Sequence, residues 1–428
     1  ADTGNNRILS LDENLKVIGC YKSIVSSDKS TFASPLGIFA STDGSGVTSI
    51  YVADSDNGRG VKLLIQDETT AIAQVEYTKP DNEAYTAEAF TPSKVSVDKE
   101  GNVYLISTSV STGALRYDQN GEFKGFYGAN RVEKSAAVIA RKVWRAFASE
   151  KKQQGMLSSV PTEFNNFDVD EDGFMYTVTE AANAATDAVK KLNPAGYNIW
   201  DNVVGNDYEF GDFAWGVEEN TSKSTKLTDI VIGDNGTINL LDYETGRVFQ
   251  YDMHANLLFI FGAKSIPSEQ EGSFTSPNAI ESYGKNIYVL DGTKNDITVF
   301  TETIFGKYVH EASEYYVKGQ YYESKHLWEE VIRRDGGYTL AHIALGKAAL
   351  NNGDYKEAME YFKTAYDQIN YDKAFKYYRD NFLREHFNVI VIVLFLLIVL
   401  ILVINRLRKK GILKPLGYYI KKKKREGN

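Results

Sequence analysis

A chain of 428 residues, 43% of them hydrophobic, is long enough for two or three domains with cores of their own. Its single cysteine, Cys20, excludes an intramolecular disulfide framework and a cysteine-rich zinc site. The net charge of −9 hides a basic end: residues 406–428 hold ten lysines and arginines against Glu426, a local +9 that leaves −18 on residues 1–405, an acidic body that repels nucleic acid.

The first three hundred residues repeat at a period near fifty. The chain opens on ADTGNNRILSLDENLKVIG, and the same turn–strand–loop–strand pattern returns in SIYVADSDNGRGVKLL (49–64), NVYLISTSVSTGALRYD (102–118), FMYTVTE (174–180), the stretch 231–262 and NIYVLDGTKNDITVF (286–300). Lead-in segments such as SPLGIFASTDGS, TPSKVSVDKEGN, TEFNNFDVDEDG and SPNAIESYGK precede several copies. Alternating apolar positions broken by glycine-centred turns predict antiparallel strands, four to a unit. The loop Asp2-Thr3-Gly4-Asn5-Asn6-Arg7-Ile8, with degenerate counterparts at Asp54–Arg59 and Asp291–Ile297, resembles that of NHL repeats. The resemblance spans residues 1–304 and implies an all-β, six-bladed propeller. The first copy lacks its lead-in strands, so either residues upstream complete it or a C-terminal strand closes the ring. No signal peptide is visible, and export of so large an N-terminal domain calls for one, so the expectation is that the true N-terminus was cleaved, is disordered or is omitted from the sequence.

Two stretches interrupt the β pattern. Residues 129–154 read as a helix, with Val132, Ala136, Ile139, Val143 and Phe147 on one side and Lys134, Arg141, Lys142 and Arg145 on the other. That basic face is either the solvated side of a blade cap or a surface for an acidic partner. In NDYEFGDFAWGVEEN (206–220), Tyr208, Phe210, Phe213 and Trp215 lie among carboxylates, a composition that suits contact with a sugar ring or an edge strand packed into a blade. Asp168-x-Asp170-x-Asp172-Gly173 has the look of a calcium loop, but Thr179 stands where an EF-hand needs a bidentate glutamate. Its alignment with 95–107 makes it a hairpin turn. The five histidines are scattered, without a metal-binding pair, and no nucleophile elbow or phosphate loop occurs. Catalytic residues, metal ligands and cofactors are therefore not expected.

From residue 305 to 386 the pattern turns helical, with two copies offset by 34 residues. Leu345, Gly346, Gly353, Tyr355, Ala358, Phe362 and Ala365 resemble a tetratricopeptide repeat, and Ala312, Gly319, Tyr321, Ser324, Trp328 and Val331 form the earlier copy. Asn370 replaces the usual closing proline, leaving room for a following helix. Within residues 387–405, Val389 to Ile404 is an unbroken run of sixteen apolar residues; with Phe387 and Asn388 it makes about 27 Å of helix, enough for a bilayer core. Four basic residues in 367–386 against ten in 406–428 predict a single pass with the C-terminus in the cytoplasm and the basic tail on the lipid bilayer.

NHL-type propeller, tetratricopeptide module and C-terminal anchor together resemble surface proteins of Gram-positive gut bacteria that accompany carbohydrate uptake systems. The expectation is a non-enzymatic extracellular scaffold with a protein partner in a membrane complex such as a transporter. The alternatives are a displayed propeller hydrolase or lactonase, or a free-standing carbohydrate-binding protein.

Overall fold

The computed structural model describes residues 1–82, 85, 87–108, 110, 113–128, 166–179, 188–200, 210–211, 225–264 and 270–411. They form two compact units, Ala1–Gly306 and Lys307–Asn428.

The first unit is a β-propeller. It begins with a hairpin of β1 (Ile8–Leu11) and β2 (Val17–Tyr21). A five-stranded sheet follows, built from β3 (Ile24–Val25), β4 (Pro35–Thr42), β5 (Thr48–Asp54), β6 (Arg59–Ile65) and β7 (Ala71–Tyr77) in the order 3-7-6-5-4. The next blade runs from β8 (Pro92–Val97) through β9 (Val103–Ser107) and β10 (Ala114–Tyr117) to β11 (Phe123–Tyr127). Then come β12 (Asn166–Val169), β13 (Met175–Val178) and β14 (Val189–Leu192), and after them β15 (Leu227–Ile232), β16 (Ile238–Asp242), β17 (Arg247–Tyr251) and β18 (Leu257–Phe261). A short pair, β19 (Ala263–Lys264) and β20 (Ser273–Phe274), leads into the last sheet of β21 (Pro277–Tyr283), β22 (Asn286–Asp291) and β23 (Asp296–Thr301).

Five sheets have an inner strand, namely β4, β8, β12, β15 and β21, and successive ones pack side by side. The propeller therefore has five blades, which corrects the six expected from the repeat. The miscount comes from the opening copy: its D-x-G-N-N-R-I loop leads into a hairpin with no inner strand, and that hairpin packs Ile8 and Tyr21 onto Ile50, Val52 and Leu63 of the next sheet.

The sequence encodes these hairpins through one device. An aspartate ends the first strand and its Oδ1 accepts backbone N–H groups two and four residues on, as Asp43 does from Ser45 and Val47 (both 2.9 Å), Asp118 from Asn120 and Glu122, and Asp252 from His254 and Asn256. Asp170 does the same with Asp172 (3.0 Å) and Phe174 (2.9 Å), so the calcium-like stretch is a β12–β13 turn. Gly173 closes it at a φ of 80°, as Gly101 does at 82° in the preceding blade.

A second device closes four of the five blades. The last residue of the second strand accepts an N–H from just before the inner strand: Asp54 from Ala33 (2.8 Å), Ser107 from Thr91 (3.0 Å), Asp242 from Lys226 (2.8 Å) and Asp291 from Thr275 (2.6 Å). Asp242 is fully buried and also takes the Glu244 N–H and the Thr245 hydroxyl. Replacing it with alanine strands several buried donors, so Asp242→Ala is expected to cost about 3 kcal/mol and Asp242→Asn less, read as midpoints of urea unfolding.

The second unit stacks helices α1 (Ile304–Val317, whose first residues belong to the propeller unit), α2 (Tyr321–Arg334), α3 (Thr339–Asn352), α4 (Tyr355–Thr364) and α5 (Gln368–Lys409). Trp328 is fully buried between Tyr316 and Tyr338. At Gly346 a Cβ would fall 2.6 Å from the Phe362 ring, so α3 and α4 touch where the sequence places its small residue. Gly353 ends α3 in the left-handed region, and the Asp367 side chain caps α5 by accepting the Asn370 N–H (3.0 Å). Ala358 is fully buried. Both Gly346→Ala and Ala358→Leu overpack this contact and are expected to lower stability by about 1–3 kcal/mol, seen as a lower melting temperature at 222 nm.

Beyond Tyr378 α5 leaves the stack. The helix is long and apolar enough to cross a membrane, and its apolar window is entirely exposed within this chain.

Candidate functional site

Along the propeller axis the inner strands present polar residues in register. Gly37, Lys94, Asn166, Asp229 and Ala279 occupy equivalent positions on β4, β8, β12, β15 and β21; Ser96, Asp168 and Glu281 follow two residues later. Gly37 is glycine because the strands meet there: a Cβ would lie 2.7 Å from Lys94 Cα and 2.8 Å from the Ser93 carbonyl oxygen.

Asp229 is the centre of this group. It is 2% exposed, and Oδ1 accepts from the Ile230 N–H (2.9 Å) and the Asn166 amide, while Lys94 Nζ stands 3.4 Å away. Oδ2 accepts the Ile280 N–H at 2.8 Å, so one carboxylate joins four sheets. Asp168 works the same way on a smaller scale, taking the Val169 N–H on Oδ1 and the Ile232 N–H on Oδ2, both at 2.8 Å. Inner strands have no neighbour on their axial side, and these carboxylates supply acceptors for N–H groups that the ladders leave free.

The electrostatics separate the members. Burial raises the Asp168 carboxyl above its usual range, against the pull of the Ile232 N–H and the Lys94 charge. Burial works to lower Lys94, but Asp229, Asp168 and Glu281 outweigh it and the ammonium ends up raised, hence firmly charged. Glu281 is pushed up to about 7, first by its loss of water and then by the Asp168 charge, with the Ser282 N–H and Lys94 opposing. Its side chain is exposed at the surface, yet protein surrounds it closely, and a carboxylate hemmed in this way is less well hydrated than one in bulk water. Glu281 is thus raised into the range where a general acid or base works, and the buried Asp168 carboxyl beside it is raised as well. Among the described residues no group of three or more His, Cys, Asp or Glu side chains is arranged to hold a metal ion.

The residues singled out from sequence sit elsewhere. Phe210 is 1% exposed, stacked on Trp200 (5.2 Å between ring centres, 27° between planes) and edge-on to Tyr251, so its faces are spent on the core. Tyr208, Phe213 and Trp215 lie outside the described residues, as do Lys134, Arg141, Lys142, Arg145, the rest of the 129–154 insertion and the tail beyond residue 411. Sequence reasoning missed Lys94, Asn166, Asp168, Asp229 and Glu281. Their signal was present in the lead-in segments, where charged and amide residues take positions in strands whose neighbours are apolar.

No protein-family model and no curated protein matches the chain. Among solved structures, virginiamycin B lyase from Staphylococcus aureus is 11% identical over 70% of this chain and 75% of its own, with a TM-score of 0.40. A protein of unknown function from Bacteroides thetaiotaomicron is 11% identical over 70% and 68%, with a TM-score of 0.39. The extracellular domain of a hybrid two-component system from the same organism is 14% identical over 69% of this chain and 31% of its own, with a TM-score of 0.36. Likeness at this level carries nothing about activity.

Two outcomes test the axial group. A carboxyl whose pKa is higher folded than unfolded binds its proton more tightly in the native state, so Glu281 favours folding at low pH and progressively disfavours it as pH rises from about 4.5 to about 7. Glu281→Gln is expected to flatten this part of the stability–pH curve, measured by chemical denaturation at pH 4.5 to 8. Lys94→Met leaves the buried Asp229 charge without its cation and is expected to cost about 3–5 kcal/mol at neutral pH.

Proposed function

We propose that this chain is a membrane-anchored extracellular scaffold, an NHL-type propeller followed by tetratricopeptide-type repeats, and serves as an accessory subunit of a membrane complex such as a carbohydrate transporter. The observation that carries the reading is α5. It starts in the core of the helical stack, with Ala374 fully buried, and continues unbroken into an apolar run whose side chains are exposed on every side, from Val389 at 58% to Val403 at 47%. Within a soluble protein so wide an apolar surface demands cover, and a bilayer supplies it. Arg406, Arg408, Lys409 and Lys410 follow at once, which suits a cytoplasmic end.

The run lacks glycine and polar side chains, so its lateral contacts in lipid are weak and partner choice falls to the parts outside. The basic side chains Lys134, Arg141, Lys142 and Arg145 offer a patch for an acidic partner, where charge chiefly steers encounter. The aromatic stretch 206–220 remains a candidate for sugar contact through Tyr208, Phe213 and Trp215.

Glu281 favours a second reading, a displayed propeller hydrolase or lactonase, because an acid near neutral pH on the axis is placed where a substrate entering the channel would meet it.

Protease added to intact protoplasts is expected to destroy residues 1–386 and leave a small protected C-terminal fragment; a protected propeller sinks the topology. Crosslinking in cells followed by mild detergent extraction is expected to recover a partner. Reversing Arg141, Lys142 and Arg145, or deleting 305–386, is expected to weaken that association, while exchange of the apolar run for an unrelated one of equal length leaves it intact. Extraction as a lone monomer without crosslinked partner overturns the scaffold reading.

A further inference from the structure

The last blade ends on an open edge. In the sheets β3–β7, β8–β11 and β15–β18, a fourth strand, β7, β11 or β18, lies outside the third. β23 pairs with β22 alone, because the chain leaves it through Glu302 and Thr303 and enters α1, too short a path to return as a strand. Alternate residues of an edge strand turn N–H and C=O outward, and among the described residues no backbone bond joins 297–301 to anything other than β22.

Beside this edge runs a groove of about 620 Å3, walled by Gln270–Ser273 and by residues of β23. Val299 is 38% exposed and Phe300 adds its ring to the lining, while Glu271 and Asp296 stand exposed at the groove. The one cation there, Lys294, is committed to the Ser273 carbonyl (2.7 Å).

We propose that β23 is a docking edge for an extended segment of a partner protein, five to seven residues long and alternating apolar with basic side chains, which adds as a fourth strand. The length is that of β7, β11 and β18. The apolar share follows the outer strands of the other blades, AIAQVEY, FKGFY and LLFIF, and alternation places it on one face of the sheet. The two free carboxylates set the charge. A second copy of this chain suits the edge poorly, since its β23, DITVFT, carries no basic side chain to meet Glu271 and Asp296. The inference stands on the edge and the groove and holds whether or not α5 lies in a membrane.

The test uses the full chain in detergent and an acetylated octapeptide alternating lysine with phenylalanine and valine. A peptide of equal composition with proline at its centre is the control. Binding is expected to slow amide exchange across Ile297–Thr301 by about tenfold, with no such effect from the proline peptide. Glu271→Lys and Asp296→Lys together are expected to weaken binding about three- to tenfold. Peptide binding that leaves β23 exchange unchanged overturns the proposal, as does protection that survives both charge reversals. So does a β23 already protected in the free chain: in a monomer its own chain covers the edge, and in a concentration-dependent dimer a second copy does.

Discussion

Four of the five blades depend on a side chain that closes the second strand onto the start of the first. At Asp54, Ser107, Asp242 and Asp291 an oxygen takes the N–H of a residue just before the inner strand. In all four the backbone returns a bond: Asp56 N–H to the Ala33 carbonyl, Thr108 N–H to Thr91, Tyr243 N–H to Lys226, and Gly292 N–H to Ser276, which also donates to Asp291. The inner strand is thereby held at its root before any contact with a neighbouring blade. At Asp54 the closure reaches further, because Arg59, 1% exposed, bonds Asp54 at 2.9 Å and Glu76 at 2.6 Å and donates to the Lys29 carbonyl. A guanidinium so deeply buried is tolerable only with its donors satisfied, so the loop, the second and third strands and the fourth strand become one polar unit.

Rooted inner strands are what allow polar residues on the axis. Blades meet through apolar clusters at mid-height, such as Val231, Leu241 and Val248 against Phe274, Ile280 and Val289, and the axial strands carry backbone N–H groups that no ladder satisfies. Asp229 and Asp168 accept such groups from the next blade, and Lys94 then balances the accumulated negative charge. Three carboxylates crowd one ammonium, and the strain shows in the carboxyls that burial and their neighbours raise, Asp168 and Glu281, the latter to about 7.

Much of this was legible in the residues. Glycine-centred turns announced the hairpins, the alternating apolar runs announced the strands, and the expectation of close helix contacts at Gly346 and Ala358 fits the Phe362 ring against the one and the full burial of the other. The blade count was not legible, because a repeat is recognised by its loop while a blade is defined by its inner strand, and the opening hairpin has the first without the second. The axial group was hidden for a related reason. Lys94, Asp168, Asp229 and Glu281 are separated by more than fifty residues at each step, with no local spacing to betray them; only ring geometry brings them together. Phe210 shows the converse, since an aromatic among acids looks the same whether its ring faces a ligand or, as here, Trp200 and Tyr251.

The helical unit joins two demands in one element. The first turns of α5 are ordinary core structure: Ala374 is fully buried, Tyr377 stacks on Tyr355 at 5.8 Å, and Lys356 lies over the Tyr378 ring at 5.4 Å. From Arg379 the same helix proceeds with neither glycine nor proline as far as Lys409. At 1.5 Å per residue its 42 residues extend about 63 Å. Helices kink at proline, at glycine or where the hydrogen-bond ladder is interrupted, and α5 has neither residue. The orientation of the apolar run is therefore mechanically tied to the packing of α4 against α5, and Asn370, in the first turn of α5, adds its N–H to the Asp367 cap.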